Sequence, residues 1–302
     1  MSCLAITGGT GFVGGHVIAE ALARGHRVRA LARRPQPERD GVSWIEGALD
    51  QPDRLAVLAG GADAVIHVAG VINGDEEAFR HGNVVGTEQM VGAAAAASIR
   101  RFVHVSSLAA REPALSAYGR SKCVSEEPVI AAGGDWTIVR PPAIYGPGDR
   151  EMLELFRLAR RGIVPLPPEG RLSLIAAEDL ARLLLDCLDA PMSFCRTYEP
   201  DDGTPEGWSH AAFARAIGEA VGRRVLPLPV PRPLLAAGAW ADRRLRGPRA
   251  RLTRDRVAYF CHPDWTAAPH AQPPAELWRP VIDTRAGLAA TARWYRAQGW
   301  LK

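Results

Sequence analysis

The sequence predicts an α/β protein, a doubly wound parallel sheet with a smaller C-terminal lobe. Three observations predict it. Short apolar runs alternate with helical patterns over the first 140 residues, a glycine-rich turn follows the first run, and proline-punctuated helices take over after about residue 141. Strands are expected at 4–7, 27–32, 42–45, 64–68, 101–105 and 136–139, each short and bounded by Gly or polar residues. Helical patterns lie between them, notably at 13–24, 84–98 and 118–131. Such alternation implies crossover connections and a parallel sheet covered on both faces. Further helices are expected at 178–188, 209–221 and 284–298, between proline clusters at 165–168, 227–233 and 269–274. The expected division is 1–165 for the main domain and 166–302 for the lobe, with some later elements returning to the sheet.

Composition narrows the class. The chain has 302 residues, 47% of them hydrophobic, enough for a large core. A net charge of +4 is too mild for a nucleic-acid binder. The five cysteines are odd in number and none forms a CxxC, which argues against a disulfide or zinc framework; no metal is expected. No segment reaches the roughly 20 apolar residues that span a bilayer, and the N-terminus lacks the basic start of a signal peptide. A cytoplasmic location is therefore the expectation.

The glycine turn reads Thr7-Gly8-Gly9-Thr10-Gly11-Phe12-Val13-Gly14, directly after a strand and opening a helix. Gly8 permits a tight turn, Gly11 lets backbone approach a pyrophosphate, and Gly14 allows close helix packing. Phosphate then meets the amides and dipole of the helix N-terminus. Thr10, Phe12 and Val13 complete this expected cofactor contact, and the fold becomes a Rossmann-type sheet.

The second strand ends in Ala32-Arg33-Arg34, with no carboxylate for a ribose 2′-hydroxyl. Two guanidiniums suit a 2′-phosphate, so NADP is the expected cofactor, with NAD as the alternative. The fourth strand ends in His67-Val68-Ala69-Gly70, and His67 reads as a satisfied core histidine. Asn83 suits a cap or a tether for the active-site loop. The fifth strand ends in Ser106-Ser107, and Tyr118 and Lys122 follow on one helix face. A Lys cation beside a Tyr favours its ionised form, so the expectation is a lowered Tyr118 pKa and a general acid/base at neutral pH. Ser107 would orient the substrate oxygen.

With G-x-x-G-x-x-G, the serine-ended strand and Y-x-x-x-K together, the sequence resembles the extended short-chain dehydrogenases/reductases. The segment Arg140-Pro141-Pro142-Ala143-Ile144-Tyr145-Gly146-Pro147-Gly148 resembles that family's R-P-x-x-x-Y-G-P-G. The resemblance implies catalytic Ser107, Tyr118 and Lys122, with Lys122 also holding the nicotinamide ribose. It implies Leu49 on the adenine, small residues Val68, Ala69 and Gly70 along the cofactor, and cofactor contacts from Ser106, Pro141 and Ile144. Dimerisation, common in the family, makes a homodimer the expected assembly.

Four departures set this sequence apart from the family pattern. Ala48 occupies the place of the family's adenine-side Asp. The stretch from Ser107 to Tyr118 is shorter than in most extended members, trimming the substrate site on that side. Leu108 and Ala109 follow Ser107 where dehydratases carry an acidic pair, and Pro142-Ala143 stands where nucleotide-sugar enzymes usually have Asn. The expected reaction is hydride transfer between nicotinamide and a carbonyl or secondary alcohol, on a small or hydrophobic molecule. Sugar epimerisation and a non-catalytic NADP-binding role are the alternatives. Seven arginines and one acid, Asp255, crowd residues 243–256; a solvated basic face is the plain reading, and an acidic substrate, a partner or a membrane surface are the others.

Overall fold

The computed structural model describes residues 1–247, 250 and 252–302; Arg249 and Arg251 of the arginine-rich stretch lie outside the described residues. In chain order the main elements are β1 (Cys3–Thr7), α1 (Phe12–Ala23), β2 (Arg27–Ala32), β3 (Val42–Glu46), α2 (Pro52–Ala59), β4 (Ala64–His67), α3 (Glu76–Phe79) and α4 (Gly86–Ala96). They continue with β5 (Arg101–Val105), α5 (Ala117–Ala131), β6 (Asp135–Val139), β7 (Ala143–Tyr145), α6 (Leu153–Arg160), β8 (Ile163–Leu166), β9 (Arg171–Leu172), β10 (Leu174–Ala176) and α7 (Ala177–Asp186). The last are β11 (Arg196–Tyr198), β12 (Trp208–Ser209), α8 (His210–Val221), β13 (Leu226–Pro229), α9 (Arg232–Arg246), α10 (Arg254–Phe260), β14 (Asp264–Trp265) and α11 (Thr284–Ala297).

The chain forms two compact units. The first comprises Met1–Pro141, Ala177–Pro200 and Pro269–Arg279; the second comprises Pro142–Ala176, Asp201–Ala268 and Pro280–Lys302. The first boundary falls after Pro141, and the later segments Ala177–Pro200 and Pro269–Arg279 return to the first unit.

The first unit holds a seven-stranded sheet in the order β11-β6-β5-β4-β1-β2-β3, with every pairing parallel. This is the doubly wound arrangement, and the strand order reverses between β1 and β4. Strand alternation sends side chains to both faces. Ala5, Val65, Phe102 and Ile138 point to one face, packed under Leu55 and Leu58 of α2, Met90 and Ala94 of α4, and Val129 of α5. Helices α1 and α7 pack together, and Arg24, the C-cap of α1, reaches Asp186 of α7 at 2.7 Å. Helix α7 and strand β11 arrive from sequence well beyond the alternating region.

The stretch from 76 to 96 differs from a simple helix at 84–98. Helix α3 begins at an Asp75 cap, accepting from the Ala78 amide at 2.9 Å, and a wider π-helical turn at Arg80–Val85 leads into α4. Asn83 therefore lies inside a helical run and does not cap one. The second unit packs α6, α8 and α11 around Phe156, Ile217, Leu288 and Tyr295, with short strand pairs β7–β10 and β8–β13 and the triplet β12-β9-β14. Among the described residues no helix is long and apolar enough to cross a membrane.

Candidate active site

The glycine turn takes its shape from contacts a side chain would forbid. Gly8 has φ +73°, and a Cβ there would lie 2.7 Å from the Ala69 amide nitrogen. A Cβ on Gly14 would overlap the Gly8 carbonyl oxygen, so only glycine lets α1 approach β1 this closely. Gly11 caps α1 in an extended conformation with no side-chain hydrogen bond, and Thr10 and Gly11 are exposed while Phe12 and Val13 are half-buried. An α-helix leaves its first amides without intrahelical acceptors, and here no side chain fills that role. The cradle fits an anionic pyrophosphate.

At the far end of β2, Arg33 and Arg34 are exposed. Arg33 lines an open cavity of about 400 Å³ together with Glu46, Gly47, Ala48, Gln51 and Arg54. Arg54 is steadied by a hydrogen bond from its Nε to the Glu46 carbonyl, and the Gln51 carboxamide accepts from the Ala48 amide at 3.1 Å. Sequence reasoning singled out Arg33 and missed Arg54, which comes from α2. Leu49 packs against Gly86, where a Cβ would lie 2.6 Å from its Cδ1.

Val68, Ala69 and Gly70 form the loop after β4. The Thr7 hydroxyl accepts from the Ala69 amide at 3.2 Å and contacts His67 Nδ1 at 2.8 Å. His67 also meets the Thr87 hydroxyl at 3.1 Å, is fully buried, and has its pKa pushed down to about 3 by burial, aided by the Lys122 charge. It is a neutral core group. Asn83 accepts from the Val71 amide at 2.6 Å and donates to the Val71 carbonyl at 3.0 Å and to the Ser121 hydroxyl at 2.8 Å. It ties the loop to the helix that carries Tyr118.

Ser116 caps α5 by accepting from the Gly119 amide at 2.9 Å, fixing the start of the helix and the position of Tyr118. Tyr118 is hydrogen-bonded to Ser107. Ser107 itself accepts from the Ala109 amide at 3.2 Å, and the Leu108 amide donates to the Pro141 carbonyl at 3.0 Å. Pro141 thus holds the serine turn in place. Lys122 is 4% exposed and donates to the Val105 carbonyl at 2.8 Å. Its ammonium would lie 3.8 Å from a Cβ placed on Gly70, directly under the loop. The structure therefore brings Ser107, Tyr118 and Lys122 together at one end of the sheet. Ile144 lies in β7 of the second unit, paired with Ile175.

The electrostatics depart from expectation. Burial raises the Tyr118 phenol, opposed only by the Ser107 hydrogen bond. Burial also lowers Lys122 to about 8, opposed by Glu126. The Lys122 ammonium itself donates to the Val105 carbonyl.

Sequence reasoning also missed a buried ion network. Glu126, one helical turn beyond Lys122, accepts from the Ser106 hydroxyl at 2.5 Å and from Arg140 at 2.8 and 2.6 Å. Arg140 also faces Glu199 at 3.7 Å, and Arg111 reaches Glu199 at 3.1 Å. The Ser106 hydroxyl is thus engaged by Glu126. The spacing Tyr118, Lys122, Glu126 was the available signal, since four-residue steps share a helix face.

A family model described as NAD(P)H-binding matches residues 8–191. Over 99% of its length the chain is 39% identical to a ceramide reductase of Caulobacter vibrioides, covering 96% of that protein. The chain belongs to the NAD(P)H-binding, extended short-chain dehydrogenase/reductase family. It is also 27% identical to the UDP-glucose 4-epimerase of Vibrio cholerae, over 75% of this chain and 78% of that one. In fold it resembles MoeE5, solved with UDP-glucose and NAD, at a TM-score of 0.77 and 21% identity over 99% of both chains. The relatives of this NAD(P)H-binding enzyme thus include both a reductase and an epimerase.

Proposed function

We propose that this enzyme is an NADPH-dependent ketone reductase acting on a long-chain, ceramide-type lipid. The observation that carries the reaction is the hydrogen-bonded Ser107–Tyr118 pair with Lys122 one turn further on. Gly11, Phe12 and Val13 would hold the pyrophosphate, and Arg33 with Arg54 would hold a 2′-phosphate, as guanidiniums suit phosphate. When bound, the cofactor would supply the hydride that the carbonyl carbon accepts. Tyr118 donates its proton to the carbonyl oxygen, so hydride and proton together convert ketone to secondary alcohol. A raised Tyr118 pKa suits this direction, because the phenol keeps its proton at neutral pH. Ser107 orients the same oxygen, and Lys122 supplies positive charge beneath it.

The substrate class rests on the 39% identity to the ceramide reductase, and on the Leu108-Ala109 and Pro142-Ala143 stretches, which lack the polar groups of sugar-processing relatives. The test is NADPH oxidation by the purified protein with a long-chain N-acyl amino ketone, beside the Tyr118→Phe protein. Turnover that vanishes in the variant supports the reading. Interconversion of UDP-sugar epimers with no net cofactor oxidation, and no turnover of the ketone, overturns it in favour of an epimerase.

A further inference from the structure

The charge of the chain is gathered in one place. Residues 223–260 contain ten arginines, two aspartates and no glutamate or lysine, a net +8. The whole chain carries +4, so the remainder carries −4. The same stretch holds exposed apolar side chains. Of the thirteen large hydrophobic residues exposed among the described residues, six fall here: Leu226, Leu228, Leu234, Trp240, Leu245 and Phe260. A solvated basic face would explain the arginines but not these.

Helix α9 organises the two. Leu234, Ala237, Ala241 and Leu245 recur at steps of three and four and so share one face. Leu234 is 63% exposed and Leu245 85%. The opposite side packs inward through buried Ala239 and through Asp242, which accepts from the Leu252 amide at 2.8 Å. Trp240 is 57% exposed and carries the Arg244 guanidinium over its ring at 5.3 Å. Arg243, Arg244 and Arg246 fill the last turn. An outward apolar stripe, with Arg244 at its flank over Trp240 and Arg243 and Arg246 in the same exposed last turn, matches a helix that lies in the plane of a bilayer interface, leucines among acyl chains and arginines reaching phosphate depth. A polyanion such as nucleic acid would use the arginines and leave the leucines in water.

We infer that α9 docks this protein on the surface of an anionic phospholipid bilayer. The inference does not depend on the lipid substrate proposed above, since it concerns a surface and not the Tyr118 site. The test is flotation of the full-length protein with phosphatidylglycerol–phosphatidylcholine vesicles and with phosphatidylcholine vesicles. Binding is expected to the anionic vesicles, weaker at high salt. It should fall at least about tenfold when Leu234→Asp and Leu245→Asp are combined, with the thermal unfolding midpoint and NADPH affinity unchanged. Val57→Asp, at an exposed position of α2, should bind as the parent does. Equal binding to neutral vesicles, insensitivity to the leucine pair, or binding to duplex DNA or an acidic polypeptide without vesicle binding would each overturn it.

Discussion

Burial acts on Tyr118 and Lys122 in opposite directions, raising the phenol and lowering the ammonium to about 8, so both are pushed toward their neutral forms. For reduction, the acid form of Tyr118 persists through neutral pH, while Lys122 loses its charge as pH rises through about 8. The reductive kcat is therefore expected to be level below that pH and to decline above it, read from a pH–rate profile with NADPH saturating. Tyr118→Phe should lower kcat by about 10²–10⁴-fold, with a far smaller change in NADPH affinity by fluorescence titration. At the adenosine end, Arg33→Ser and Arg54→Ser should each weaken NADPH by about tenfold through loss of a charge-assisted bond and leave NADH within about twofold; equal loss for both cofactors would refute the 2′-phosphate assignment. His67 answers a stability question. Its pKa is about 3 in the folded chain against 6.5 unfolded, so the folded state binds fewer protons between those values. Its stabilising contribution is present above pH 6.5 and is lost as pH falls toward 3, on the order of a few kcal/mol. Urea midpoints at neutral and acid pH should show a smaller drop for His67→Gln.

Helix α5 carries both chemistry and support. Tyr118 and Lys122 belong to the proposed site, and Glu126 on the next turn joins α5 to the end of β6 through Arg140 and to the end of β5 through Ser106. Replacing Glu126 with Ala leaves the partly buried Arg140 facing Glu199 alone. Breaking one partner of a buried pair typically costs about 3–5 kcal/mol; with Arg140 only part-buried the loss should sit at or below the low end of that range. Chemical denaturation checks it, and a change under about 1 kcal/mol would show the network to be dispensable. Helix α1 depends on Gly14 in a different way. A Cβ there would strike backbone at Gly8, which cannot move aside like a flexible side chain. Gly14→Ala should therefore weaken NADPH binding and lower the unfolding midpoint together.

Each unit is assembled from segments distant in sequence. A fragment ending at residue 165 would lack α7, which packs on α1, and β11, which pairs with β6. It is expected to expose the apolar face of α1 and the edge of β6 and to be insoluble or unable to bind NADPH. A soluble fragment with parent-like NADPH affinity would contradict that. The alternating sheet, the glycine turn and the Tyr118–Lys122 step were legible because each is local: period-two and helical patterns, a strand-to-helix turn, and a four-residue step on one helix; Ser107 was assigned by the family resemblance. Arg54 was not legible, because its place beside Arg33 depends on how α2 folds back after β3. Glu199 and Arg111 were hidden for a similar reason; their meeting joins β11 to the turn after β5 across 88 residues of sequence.

Local sterics and periodicity were enough to reach the α/β class and the glycine turn, and with the family resemblance they pointed to Ser107, Tyr118 and Lys122 as the proposed site. The protonation preferences of Tyr118 and Lys122, the ion network behind them and the outward face of α9 emerge only on folding. Those depend on burial and on partners brought from distant sequence, which no local pattern encodes.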